Sequence, residues 1–271
     1  MTTTPSSVTA LLQEMGRAGA RLDTLRACEA GAGNVSVALP TPADLAVTFP
    51  RFEACELPGA APALAGWTVL VTGSGQRLRD VGAAPTAAVA AVSIDADGSA
   101  TLRYADDRAW ARPTSEFNSH LAVHDDQVGR RGLTGPHSVV HAQPPYLVAL
   151  SHHGPADSAK FSRQILRWEP ETVVQLPEGV GFLDFMVPGS QRLQEASVAG
   201  LREARIVIWA KHGLLARSDD GPLKAVDLIE YAETGAMYEA LNTRTGSLGQ
   251  GLTDDEVRAV IEAFDVRTTL F

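Results

Sequence analysis

Residues 138–151 read Ser-Val-Val-His-Ala-Gln-Pro-Pro-Tyr-Leu-Val-Ala-Leu-Ser. An apolar strand runs into His141 and a proline-started helix follows, since proline suits the first turn of a helix and cannot continue a central strand. Any fold for this chain must therefore bury a strand that ends in a histidine beside a helix start. Alternate residues of a strand share a face, so a His-x-His pair at such an end would make half of a zinc site. Here the second position is Gln143.

Around this segment the pattern places short strands among helices. Ser6 or Ser7 can cap a first helix in which Leu11, Leu12, Met15, Ala18, Leu22 and Leu25 recur at helical spacing, and which stops near Gly31-Ala-Gly-Asn34. Val35–Leu39 alternates like a strand, residues 51–65 read as a loop rich in Pro, Ala and Gly, and Trp67–Thr72 reads as a strand. Ala88–Ile94 and Ala100–Tyr104 flank Asp95-Ala-Asp-Gly98, whose turn chemistry predicts a hairpin. A helix is predicted after Pro113, capped by Thr114 or Ser115. Strands are predicted at Thr172–Gln175, Phe182–Met186 and Ala204–Ala210, and helices over about 189–203, over roughly 221–242 and from Thr253 onward. There is no internal repeat and no low-complexity linker. The order predicts a single α/β domain over residues 1–271, with a mainly antiparallel central sheet covered by helices.

Composition narrows the function classes. With 271 residues and 45% apolar content the chain can bury a full core, so disorder is not expected. The net charge of -9 argues against a nucleic-acid surface, which needs clustered Lys and Arg. No stretch has the roughly 18 apolar residues of a membrane span, and the N-terminus does not read as a secretory signal. Two cysteines, Cys28 and Cys55, are too few for a disulfide framework, and a cytoplasmic location is expected.

Four segments bring unusual residues to strand ends, where ligands are often held. Gly31-Ala-Gly-Asn34 and Thr72-Gly-Ser-Gly75 offer small side chains and closely spaced N–H groups, suited to a tight turn or to an anion cradle. In Pro113-Thr-Ser-Glu116 the carboxylate either satisfies a helix start or serves as a general base. His120 and His124 follow it at helical spacing and read first as packing or solvent-facing residues. In Trp209-Ala-Lys-His-Gly213 a second histidine leaves an apolar strand, so His141 and His212 together suggest a metal site.

In order along the chain, Val71–Gly75, Pro113–Glu116, Phe161-Ser-Arg-Gln164, Pro177-Glu-Gly-Val-Gly181, Met186-Val-Pro-Gly189 and Trp209–Gly213 resemble segments of the class II aldolase/adducin superfamily. The resemblance covers nearly the whole chain. It implies a homotetramer with active sites between subunits and a zinc ion on three histidines. By that resemblance His141 and His212 match the first and third ligands, and Gln143 stands at the second. Glu116 matches the catalytic glutamate, which takes a proton from the carbon beside the ketone of dihydroxyacetone phosphate while zinc polarises that ketone. Gly33, Asn34, Ser74, Gly75, Thr114 and Ser115 match the phosphate-binding loops. Glu171 matches a glutamate that reaches the neighbouring subunit's site. The implied activity is cleavage of a phosphorylated ketose of the rhamnulose-1-phosphate kind.

Two departures bear on this reading. Gly31 and Ala30 stand where the family has asparagine and arginine, which removes a cation from the first loop. An amide oxygen at Gln143 is a poor zinc donor and suits Mn²⁺ or Mg²⁺ better, with Co²⁺ also admissible. Losing one imidazole of three costs several kcal/mol, against about 10–16 kcal/mol for structural zinc in small domains. His152 and His153 would sit roughly 12 Å along the following helix, too far to replace it. The exchanged ligand leaves two alternatives, a catalytically silent adducin-like binding protein and an epimerase or decarboxylase of the same superfamily.

Overall fold

The computed structural model describes residues 7–153, 157–244 and 249–271, so Ser6, the alternative first cap, lies outside the described residues. Ser7 is the cap of α1 (Val8–Thr24), its hydroxyl accepting from the Ala10 N–H at 3.2 Å. The chain continues through β1 (Asn34–Pro40), the single turn α2 (Leu45–Thr48), β2 (Arg51–Cys55), β3 (Trp67–Thr72), the short α3 (Pro85–Ala88), β4 (Val89–Ile94) and β5 (Ala100–Tyr104). Then come α4 (Phe117–Arg131), β6 (His137–Ala142), α5 (Pro145–Leu150), α6 (Ser158–Leu166), α7 (Pro170–Gln175) and β7 (Gly181–Leu183). The last elements are α8 (Gln191–Glu203), β8 (Ile206–Trp209), β9 (Gly213–Ser218), α9 (Pro222–Arg244) and α10 (Asp254–Ala263).

Among the described residues nine strands form one sheet in the order β2-β5-β4-β3-β1-β6-β9-β8-β7. All neighbours are antiparallel except β7 and β8. The two faces follow from strand alternation. Val140 and Ala142 of β6 face a core shared with α1, α5, α6 and α9, through residues such as Leu11, Leu147, Ile165 and Ile229. Val139 faces the other way, among Val123 of α4, Leu193 and Leu201 of α8 and Trp209. His141, two residues on from Val139, therefore points to the α4 and α8 side. No helix among the described residues is long and apolar enough to cross a membrane.

Several sequence expectations need correction. Thr172–Gln175 is the end of α7 and not a strand: Glu169 caps it, Pro170 occupies its first turn, and burial of Thr172 and Val173 overrides their β-branched preference. The supposed loop at 51–65 contains β2, an edge strand whose first four residues are exposed and so show no apolar alternation. Strand formation in 182–186 is confined to β7, and α1 ends at Thr24, short of Gly31. The helix after Pro113 begins with neither Thr114 nor Ser115 as its cap; Glu116 holds that position without a side-chain capping bond. Helix α6 and strand β9 were not expected.

Candidate metal centre

Three elements converge at one end of the sheet. Strand β6 delivers His141 opposite Asn34, the first residue of β1, and opposite Leu215 of β9. The β8–β9 hairpin carries His212 at its tip, with Lys211 in the left-handed region at φ 66°. Gly213 is required there: a Cβ would lie 2.5 Å from the Ala142 carbonyl oxygen and 2.9 Å from His141 Cε1. The start of α4 brings Glu116, whose carboxylate does no capping and turns instead to the two histidines.

Candidate ligand atoms of Glu116, His141 and His212 all lie within 4.8 Å of one another. Nδ1 of His141 donates to the Leu214 carbonyl at 2.9 Å, which fixes the tautomer with a lone pair on Nε2. That lone pair faces Glu116 Oε2 at 3.4 Å, and His212 Nε2 lies 3.8 Å from Glu116 Oε1. Two acceptors set face to face in a buried site fit a cation between them, so the donor set suits a divalent metal. Trp209 stacks on both imidazoles, with centroids 4.9 and 5.3 Å away, and its indole N–H is anchored on Ser197 Oγ at 2.9 Å. Sequence reasoning missed Trp209, Leu214 and Ser197 as supports; only the Trp209–Gly213 segment pointed toward them.

Asn34 donates from Nδ2 to Glu116 Oε2 at 2.8 Å, so this loop residue holds the carboxylate. Burial pushes the Glu116 carboxyl up, but His141, the Asn34 amide, His120 and His212 together hold it below the usual range. Burial and His141 lower His212, against the opposing pull of Glu116 and Glu29. At neutral pH Glu116 is thus a carboxylate, and His212 is held toward its neutral form.

Gly33, Asn34, Ser74, Gly75, Thr114, Ser115, Glu116, His141, Gln143 and His212 share one cavity of about 270 Å³, with Gly31 and Pro188 also in its wall. Every predicted site residue except Glu171 is therefore brought together. Among the described residues, no lysine or arginine lines this cavity. Not all loop N–H groups face a ligand: Ser74 donates to the Arg112 carbonyl at 2.8 Å and Thr114 to that of Thr72 at 3.0 Å. Glu171 lies exposed at the start of α7, where a bond from the half-buried Glu169 carboxyl lowers its pKa. His152 and His153 are exposed and take no part.

His120 and His124 are fully buried and belong to a separate line of hydrogen bonds. Ser36 Oγ bridges His120 Nδ1 at 2.6 Å and His124 Nε2 at 2.7 Å, and His124 Nδ1 meets His137 Nδ1 at 2.7 Å. Neither histidine joins the metal-ligand cluster.

The family model described as class II aldolase and adducin N-terminal domain matches residues 13–239. The chain belongs to this family, as a class II aldolase, an enzyme of the lyase class. More particularly, it is similar to rhamnulose-1-phosphate aldolase of Pectobacterium carotovorum subsp. carotovorum (strain PC1), with 32% identity over 248 residues, 88% of this chain and 87% of that one. Sugar-phosphate aldolase from Thermotoga maritima, 22% identical, shares the fold with a TM-score of 0.72 over 90% of this chain and 99% of its own. L-fuculose 1-phosphate aldolase, 18% identical, does so at 0.58 over 98% and 100%.

Proposed function

We propose that this chain cleaves a phosphorylated ketose of the rhamnulose-1-phosphate kind into dihydroxyacetone phosphate and an aldehyde. The observation that carries the reading is the buried Glu116 carboxylate, held by Asn34 and facing His141 and His212 instead of capping its helix. The similarity to rhamnulose-1-phosphate aldolase over most of both chains supports the substrate class.

His141, His212 and Glu116 would hold a divalent metal, with the Gln143 oxygen a further donor. Zinc follows from the family resemblance; Mn²⁺, Co²⁺ or Mg²⁺ suits the exchanged ligand. When bound, the cation supplies positive charge that polarises the substrate ketone. In the cleavage direction the bond between the carbon beside the ketone and the carbinol carbon breaks. Its electron pair stays on the ketone fragment. The carbinol hydroxyl gives its proton to the ionised Glu116 carboxylate as the aldehyde forms, and Glu116 then returns that proton to the ketone-side carbon. In synthesis Glu116 takes that same proton, for which its ionised state at neutral pH prepares it. Gly33, Ser74, Gly75, Thr114 and Ser115 would seat the phosphate through small side chains and backbone, with no cation of their own.

We further infer one such domain, assembled as a cytoplasmic homotetramer in which Glu171 of a neighbouring subunit assists proton transfer from the carbinol hydroxyl. The exposure of Glu171 outside this chain's own cavity supports that role. The test is dihydroxyacetone phosphate release from rhamnulose 1-phosphate in the presence of Zn²⁺, Mn²⁺ or Co²⁺. Release should vanish in Glu116→Gln.

A further inference from the structure

Glu29 lies on the loop between α1 and β1, exposed, and the proposed chemistry gives it no part. It nevertheless belongs to the surroundings of the centre, since its charge acts on His212. Its carboxylate also meets the side chain of Gln143. Turned so that nitrogen and not oxygen faces Glu29, the Gln143 amide donates to both carboxylate oxygens, at 2.5 and 3.1 Å. The opposite orientation would set the amide oxygen against two acceptors. The nitrogen and oxygen of an amide lie on opposite arms of one planar group, so binding the nitrogen fixes where the oxygen goes.

The backbone reinforces this arrangement. The Gln143 N–H donates to the Ala27 carbonyl at 2.7 Å, so the loop carrying Glu29 holds Gln143 at two points. On the other side, a Cβ at Gly213 would lie 3.1 Å from Gln143 Cγ and 2.9 Å from His141 Cε1, which places the two side chains around the same gap. Gln143 thus has its nitrogen committed outward to Glu29 and its carbonyl oxygen as the atom left for the cavity it lines with Glu116, His141 and His212.

We infer that Glu29 is a positioning residue that grips the Gln143 amide by its nitrogen and presents the carbonyl oxygen to the divalent cation, tuning the centre toward Mn²⁺ or Mg²⁺ over zinc. This rests on the metal-site reading above. A leucine at position 143 would offer neither an oxygen to the cation nor a bond to Glu29, so an effect of Glu29 that travels through the amide must disappear with it. Supports that orient a metal ligand are typically worth about 10- to 100-fold in affinity.

The test is direct titration of the chelator-stripped protein with Mn²⁺ and with Zn²⁺, following the free ion, in wild type, Glu29→Ala, His141→Ala, Gln143→Leu and the Glu29→Ala/Gln143→Leu double variant. Glu29→Ala should raise the Mn²⁺ Kd about tenfold or more and the Zn²⁺ Kd by less. Glu29→Gln, which can still accept from the amide, should recover most of the loss. In the Gln143→Leu background, loss of Glu29 should change either Kd by less than about fivefold, the range set by a Coulombic contribution alone at an exposed site. The inference is overturned if Glu29→Ala leaves Mn²⁺ binding unchanged, or weakens it equally in the Gln143→Leu background. If His141→Ala binds metal as wild type does, the metal-site reading itself fails, which is a different outcome from failure at Glu29.

Discussion

His137→Gln should make the protein less sensitive to acid, by an amount that follows from burial. His120 and His137 are pushed down to about 3 and His124 well below its ordinary value, in each case chiefly because no water reaches the ring. For His137 the nearby Arg217 and Arg131 add to the effect. The folded protein therefore keeps these rings neutral, while the unfolded chain protonates them near the ordinary histidine value of 6.5. Below that value the unfolded state binds more protons, so stability falls as pH drops from 6.5 toward about 3. The cost for each such histidine is RT ln(1 + 10^(6.5−pH)), about 0.1 kcal/mol near pH 7.5 and about 1.4 kcal/mol near pH 5.5. Glutamine at 137 can still bond to His124 but carries no titrating group. The stability gap between wild type and variant should thus narrow by about 1.3 kcal/mol between those two pH values. Glu233, whose carboxyl burial raises to about 7, acts in the opposite sense in both proteins and cancels in the difference. Urea unfolding of both proteins at the two pH values, with chelator present, measures the gap. An unchanged gap would mean that His137 titrates normally in the folded protein, and the account of the buried line of imidazoles would be wrong.

Three other substitutions probe the centre. Gly213→Ala puts a Cβ against the backbone of β6, 2.5 Å from the Ala142 oxygen, so the hairpin must shift. Metal affinity should fall more than about tenfold, with a stability loss on the order of 1–3 kcal/mol, read by metal titration and thermal unfolding. Asn34→Ala removes one of the groups that lower the Glu116 pKa. The acid limb of the kcat/KM profile should move to higher pH, and an unmoved limb would separate Asn34 from Glu116. Trp209→Leu removes the ring stacked on both histidines and its anchor on Ser197, and should weaken metal binding while leaving the sheet intact by circular dichroism.

Much of this was legible in the sequence because buried strands are locally consistent. The valines before His141 and the Ile-Val-Ile run before Trp209 could only be central strands, and their histidines had to emerge at strand ends. Periodicity failed where burial did not set the pattern. Edge strand β2 has no buried face to alternate, and Thr-Val-Val in α7 reads as strand until Glu169 and Pro170 are seen to start a helix. Within the site, residue identities were readable and hydrogen-bond partners were not. Asn34 was expected among the phosphate loops because Gly-x-Gly-Asn suggests a cradle; its grip on Glu116 depends on β1 lying beside β6, a pairing between residues far apart in the chain. The Leu214 carbonyl that fixes the His141 tautomer is a backbone atom and carries no sequence mark at all. Glu29 went unnoticed for a similar reason, since an exposed glutamate beside a glycine-rich loop is ordinary until Gln143 is found against it.

The most direct test of the central claim follows dihydroxyacetone phosphate release from rhamnulose 1-phosphate by protein stripped of metal and then reloaded, in wild type and in Glu116→Gln, with metal content measured on the same samples. The account predicts that stripped wild type is inactive, that a divalent cation restores release, and that Glu116→Gln stays folded and inactive at every metal. Release that survives Glu116→Gln, or wild type that stays inactive with bound stoichiometric metal, would contradict it.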